Sequence, residues 1–174
     1  MHLTPLSQKQ QQNGFTMIEV LVAAIILAIG VLGVATLTLT GLRSDRSAYL
    51  RTQASILAYD IADRIRINQT AADNGSYSAI DTDGTLPTKP SCMTNNLGCS
   101  SAQIASLDIY EWSNHFVNAE GLSTHRPKLP GGRGQVSRNG SRYTILVTWN
   151  EIDWDSDSPT KALEQQSLTI NFDL

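Results

Sequence analysis

Charge is nearly missing from one long stretch of this 174-residue chain. Between residues 15 and 42 the only charged side chain is Glu19. Proline is missing from the same stretch and from residues 43–68, where glycine is missing too. Nothing in either stretch removes a helix donor, and nothing in residues 43–68 loosens the backbone as glycine does. Catalytic patterns are also missing. No HExxH, GxSxG or Cys–His arrangement occurs, and His2, His115 and His125 have no nucleophile or paired carboxylate beside them. Each is read as a surface residue, and the chain as not an enzyme, with no cofactor. An excess of base is missing as well. The net charge of −3 and pI near 5.5 exclude a global attraction to nucleic acid or anionic lipid. Cysteine is reduced to Cys92 and Cys99. Beside Asn95, Asn96 and Gly98 they read as a small disulfide loop if this part lies outside the cytoplasm. The alternative is half a metal site, with two ligands missing and no His nearby.

What is present falls into three parts. Residues 1–14 are polar and hold one formal charge, Lys9. Residues 15–42 form an apolar run, about 42 Å long as a helix at roughly 1.5 Å per residue. That exceeds the hydrocarbon thickness of roughly 30 Å, so the run can span a membrane. Residues 43–174 have the composition of a water-soluble head. A secretory signal cut near Gly33-Val34-Ala35 is opposed by Glu19, since a charge at bilayer depth costs about 2.5–3.5 kcal/mol. Lys9 favours a cytoplasmic N-terminus, and Arg43 and Arg46 at the far end weaken that bias. Gly30, Gly33, Gly41, Ala23, Ala24, Ala28 and Ala35 either let apolar helices approach closely or mark nothing more than a plain anchor.

The helix is expected to run on past the apolar part. Leu50, Ala54, Leu57, Ile61 and Ile65 recur at spacings of three and four, and Asn68, Asn74 and Gly75 supply the stop. Some fifty residues of helix result, apolar all round in the first half and amphipathic in the second. Residues 69–100 read as a long irregular connection. A short helix follows at about 101–118, with Ile104, Leu107, Trp112 and Phe116 as its buried residues. Leu129-Pro130-Gly131-Gly132-Arg133-Gly134 is a tight turn into a strand. It lacks the Lys-Ser/Thr end of a phosphate loop. Tyr143, Ile145, Val147 and Trp149 alternate with Thr144, Leu146 and Thr148, and Leu168, Ile170 and Phe172 repeat the alternation. The fold class is therefore α+β: a long N-terminal helix packed on a small antiparallel sheet.

Two charge clusters invite functional readings. Asp153, Asp155, Asp157 and Glu164 fall at positions one, three, five and twelve of a calcium loop. Ser158 stands where that loop needs Gly, and Lys161 occupies the ninth position, which favours a solvated acidic hairpin loop. Arg126, Lys128, Arg133, Arg138 and Arg142 lie in a stretch without acid. It reads as a DNA-facing patch or as a solvated face; interleaved aromatics for stacking bases are missing.

The residues Gly14, Phe15, Thr16, Met17, Ile18 and Glu19, with the apolar run behind them, resemble the start of a type IV prepilin. Further stretches resemble minor pilins of the PilV family: Arg46-Ser47-Ala48-Tyr49-Leu50-Arg51, residues 58–66, residues 129–134 and residues 143–149. The proline common in the middle of major-pilin helices is missing here, as is a disulfide near the C-terminus. The resemblance implies a pilin-like fold and cleavage between Gly14 and Phe15 by a prepilin peptidase. It implies N-methylation of Phe15 and a single-pass inner-membrane precursor with a periplasmic head. The implied partners are other minor pilins, the major pilin, the inner-membrane assembly platform and, before assembly, the lipid bilayer. The implied role is initiation of a pilus filament, near its tip; a type II secretion pseudopilin is the competing member of the family. Glu19 is the expected assembly residue, pairing in the bilayer with the new amine of Phe15 on a neighbouring chain.

Overall fold

The computed structural model describes residues 14–94, 98–118, 124–154 and 162–174. The chain divides into two compact units, Met1–Asp45 and Arg46–Leu174. In the first, the described residues after Thr16 belong to helix α1, Met17–Ile67. The second holds the remainder of α1, helix α2 (Gln69–Asp73), strand β1 (Ala79–Asp81), a 3₁₀ turn (Ser91–Thr94), helix α3 (Ser101–Ser113), and strands β2 (Arg133–Asn139), β3 (Arg142–Ile152) and β4 (Leu163–Asp173).

The sheet is fully antiparallel in the order β1-β2-β3-β4. Its inner face follows the alternation in the sequence. Tyr143, Ile145, Val147 and Trp149 are buried, while Thr144, Leu146 and Thr148 lie on the other face. Against that inner face lie Leu50, Ala54, Leu57, Ile61 and Ile65 of α1, joined by Ala58 and Ala62. Ala54, Ala58 and Ala62 are fully buried in this layer. The 51-residue α1 and the four-stranded antiparallel sheet match the α+β expectation.

Two regions differ from expectation. Residues 69–100 are not one irregular connection. They contain α2, β1 and the 3₁₀ turn, and Ala71, Ala72, Tyr77 and Ile80 enter the core. A three-residue strand is too short to show an alternation. In α3, Trp112 is buried as expected and Phe116, just after the helix, likewise. Ile104 is exposed and Leu107 is half-buried. The buried residues are Ala105, Asp108, Tyr110, Trp112 and Ser113, of which Ala105, Asp108 and Trp112 share one helical face. Ser100 and Gln103 form a reciprocal capping box that fixes where α3 starts.

The glycine-rich turn has a packing cause. A Cβ on Gly134 would sit 2.4 Å from Trp112 and 2.8 Å from Phe116. Those rings meet edge to face at 5.0 Å. Gly131 takes φ +55°, a left-handed conformation that favours glycine, with Asn150 directly against it. The turn therefore brings β2 against the α3 aromatics. Gly134→Ala should lower head stability by about 1–3 kcal/mol, the usual cost of overpacking a filled site. Urea unfolding of the chain in detergent, followed by tryptophan fluorescence, measures this. Gly30→Ala, where a Cβ meets nothing within 4 Å, should leave the same midpoint unchanged.

Candidate functional site

The N-terminal end of α1 holds the residues singled out by sequence. Gly14, Phe15 and Thr16 precede the first helical residue, Met17. The Thr16 carbonyl accepts the amides of Glu19 and Val20 at 3.1 and 3.3 Å, closing the first turn. Glu19 lies in that turn, where a carboxylate complements the positive end of the helix dipole by about 0.3–1 kcal/mol. Phe15 is 82% exposed. Both the bond after Gly14 and the Glu19 carboxylate are open to approach.

Every residue of 14–49 is exposed, including Ile18, Val20, Leu21, Ile25, Ile26, Leu27 and Leu32. Water does not tolerate a helix apolar all round, so this surface requires lipid or protein. Among the described residues α1 is the one helix long and apolar enough to cross a membrane, with a mean hydropathy of 2.8 over its most apolar window. Three of its hydroxyls are bonded within the helix. Thr36, Thr38 and Thr40 donate their hydroxyls to the carbonyls four residues back, Leu32, Val34 and Thr36, at 3.1, 2.9 and 3.0 Å. Gly30, Gly33 and Gly41 face open space within this chain, so its own packing requires none of them.

In the head, Cys92 and Cys99 are joined as a disulfide with their Cα atoms 5.2 Å apart. Among the described residues no group of three His, Cys, Asp or Glu side chains could hold a metal ion. Asp155, Asp157, Ser158 and Lys161 lie outside the described residues, and so do Lys9 and His2. Asp153 and Glu164 sit on either side of that gap, across the β3–β4 end.

The basic stretch is largely committed inside the molecule. Arg133 forks onto Asp81 and lies 3.5 Å from Asp83. That hydrogen bond lowers the Asp81 pKa to about 2. Arg138 donates to the Ala72 and Asp73 carbonyls and lies over the Tyr143 ring. Arg142 pairs with Asp173 at 3.1 Å. Arg126 and Lys128 are the exposed remainder. The five bases therefore do not form one open patch.

His115 and His125 are half-buried rather than on the surface. The chain folds back after α3, and the Lys128 amide donates to the His115 carbonyl at 2.9 Å. Burial lowers the His115 pKa, and Lys128 adds to the effect.

Sequence reasoning missed the polar junction that joins α1, α3 and the segment before β1. Arg64 contacts Asp60 at 3.2 Å, Asp108 at 3.1 Å and Glu111 at 2.8 Å. Burial opposes the Arg64 charge, but the bonds to Glu111, Asp60 and Asp108 outweigh it and raise the pKa. Tyr77 donates to the other oxygen of Asp108 and accepts from the Asn68 side chain. Burial and the Asp108 bond push its hydroxyl pKa up. Only the Asp60–Arg64 pair, four apart on one helix, carried a local signal.

Two family models match this chain. Residues 9–35 match the prokaryotic N-terminal methylation motif. Residues 36–110 match the Tt1218-like family, described as type IV pilin Tt1218. No curated protein and no solved structure matches significantly. The two matches adjoin and together run from residue 9 to residue 110.

The depressed His115 pKa makes a pH prediction. Below its ordinary value of 6.5 the unfolded chain takes up a proton that the folded head resists. Stability is then fully present above pH 6.5 and declines as the pH falls through the lowered folded value. His115→Gln should reduce the difference in urea midpoint between pH 7.5 and pH 5.5. An unchanged difference refutes this role.

Proposed function

We propose that the chain is a structural subunit of a type IV pilus or a related pseudopilus, made as a precursor and held in the membrane by the first half of α1. The observation that carries this reading is Glu19, alone among the charged side chains of residues 15–42, five positions after Gly14 and within the methylation motif. The pilin-type match over residues 36–110 supports it. So does the fold, in which a long helix covers one face of an antiparallel sheet.

In this reading a prepilin peptidase cuts between Gly14 and Phe15, and the new amine of Phe15 is methylated. Residues 15–42 then lie in the inner membrane, with residues 43–174 as a periplasmic head. A carboxylate in hydrocarbon is costly while it has no partner. The cut creates one, because the amine of Phe15 on a neighbouring chain can meet Glu19 when helices stack. Removing one member of a desolvated pair costs about 3–5 kcal/mol. Cleavage is then the switch for assembly and Glu19 sets the axial register. The apolar helix surfaces contribute most of the attraction.

Within the pilin class we favour a minor pilin of the PilV type. It would start filament assembly near the tip, with other minor pilins, the major pilin and the inner-membrane platform as partners. The missing helix proline, the missing C-terminal disulfide and the stretches at 46–51, 58–66, 129–134 and 143–149 support that assignment. A secretion pseudopilin shares the same N-terminal chemistry. Adhesion or DNA retention is disfavoured by the internal commitments of Arg133, Arg138 and Arg142.

Glu19→Ala should leave leader removal and membrane insertion intact. It should lower recruitment into a complex with other pilins by roughly tenfold or more, the scale set by an unpaired buried charge. Surface filament counts and co-isolation after mild crosslinking measure this, and wild-type levels of both overturn the proposal.

A further inference from the structure

The two edges of the sheet are unlike. β1 spans three residues, and Leu86, Pro87 and Ile109 line the groove beside it. β4 spans eleven, paired with β3 without a bulge from Leu163↔Ile152 to Asp173↔Arg142. Exposed edges are ordinarily protected by proline, lysine, a bulge or brevity. β4 has none of these; its sequence is LEQQSLTINFD.

The open face of this edge can be assigned residue by residue. Asp153 donates its amide to the Ala162 carbonyl, and Leu174 donates to Ser141. Backbone bonds in an antiparallel pair alternate with a period of two. The even positions of β4 therefore bond to β3. The odd positions Gln165, Ser167, Thr169 and Asn171 aim their N–H and C=O groups away from the sheet. On the face towards α1, Leu168 and Ile170 are only half-buried, so the apolar layer stops short at this edge. On the outer face lie uncharged Gln165, Ser167, Thr169 and Asn171. Charges mark the two ends: Glu164, and Asp173, which is already paired with Arg142.

We propose that β4 is a docking edge for an antiparallel strand of a different pilin-type subunit standing in the same orientation. This rests on the pilin-type reading above. β4 runs opposite to β1 and β3. A co-oriented neighbour whose edge strand runs as β1 does meets β4 antiparallel, so its sheet continues this one. A second copy fits less well. Its β4 could pair only after a half-turn, which reverses the end at which α1 enters each head. Its β1 offers three residues, and Asp81 there is held by Arg133. The partner strand should carry apolar residues beside Leu168 and Ile170, hydroxyl or amide side chains beside Ser167 and Thr169, and a base opposite Glu164. Backbone bonds then supply attachment, and alternating side chains supply selectivity.

The test uses the full-length chain in its native membrane, with the photocrosslinker p-benzoylphenylalanine at Gln165. The expected result is adducts to a strand of another chain that bears the methylation motif. Ser167→Pro and Thr169→Pro remove outward amides while leaving the bonds to β3. Each should cut adduct yield roughly tenfold, about the net value of one or two backbone bonds. Hydrogen exchange of the detergent-extracted chain confirms that the head stays folded. If either variant unfolds, adduct mapping on the wild-type backbone decides alone. Adducts to a second copy, to a chain without the motif or to lipid overturn the inference. So does a lack of adducts, or a yield indifferent to proline in a folded head. The N-terminal mass is read on the same sample. A chain starting at Phe15 without strand adducts overturns the docking edge alone. A chain retaining Met1 overturns the pilin-type reading and this inference with it.

Discussion

The head depends on one indole. Trp112 is fully buried and donates its Nε1–H to the Leu57 carbonyl at 2.8 Å, in the middle of the helix stripe. Its ring meets Phe116 edge to face and occupies the space that Gly134 leaves open. One side chain of α3 thus touches both α1 and β2. A buried indole N–H without an acceptor would carry a desolvation cost of about 1–3 kcal/mol. That requirement fixes how far α3 can slide along α1. About two turns further along α1, Arg64 spans the same two helices through Asp108 and Glu111. Apolar packing holds the contact, and the two polar links give it a single register.

The first unit follows a different rule. Its helix is apolar on every side and has no partner surface of its own, so it is defined by what surrounds it. Glu19 stands out because hydrocarbon penalises an unpaired charge far more than water does. The residue is unremarkable as the first-turn acid of a helix in water. In a bilayer or a bundle of helices it becomes the most demanding group in the segment.

Periodic features were legible in the sequence because they are repeated. Leu50 to Ile65 at helical spacing and Tyr143 to Trp149 in alternation name their own inward faces, and each is confirmed by burial. What was not legible arises from contacts distant in sequence. Asp108 is charged and carries no sign in the sequence of being buried. It turns inward because Tyr77 and Arg64, 31 and 44 positions away, supply its partners. Ile104 reads as core and lies outside, since that choice sets the phase of α3. Gly134 reads as a turn residue, and its role is visible only with Trp112 in place. β1 escaped because three residues hold too few alternations to register. In the N-terminal region, the spacing from Gly14 to Glu19 was apparent at once, whereas the free space around Gly30, Gly33 and Gly41 needed coordinates.

The threonines of α1 have a further consequence. By turning their hydroxyls onto Leu32, Val34 and Thr36, these three side chains place their donors inside the segment and leave Glu19 as the group that gains most from a partner outside it. Acyl chains and the side chains of another helix are then nearly equivalent surroundings for the stretch from Leu32 to Thr40. Moving such a helix from one to the other leaves its internal bonding unchanged. Extraction from the bilayer is opposed mainly by lost dispersion contact, which a close-packed bundle restores. Hydrogen bonding of these threonines therefore does not favour either surrounding, and the difference between them rests on Glu19.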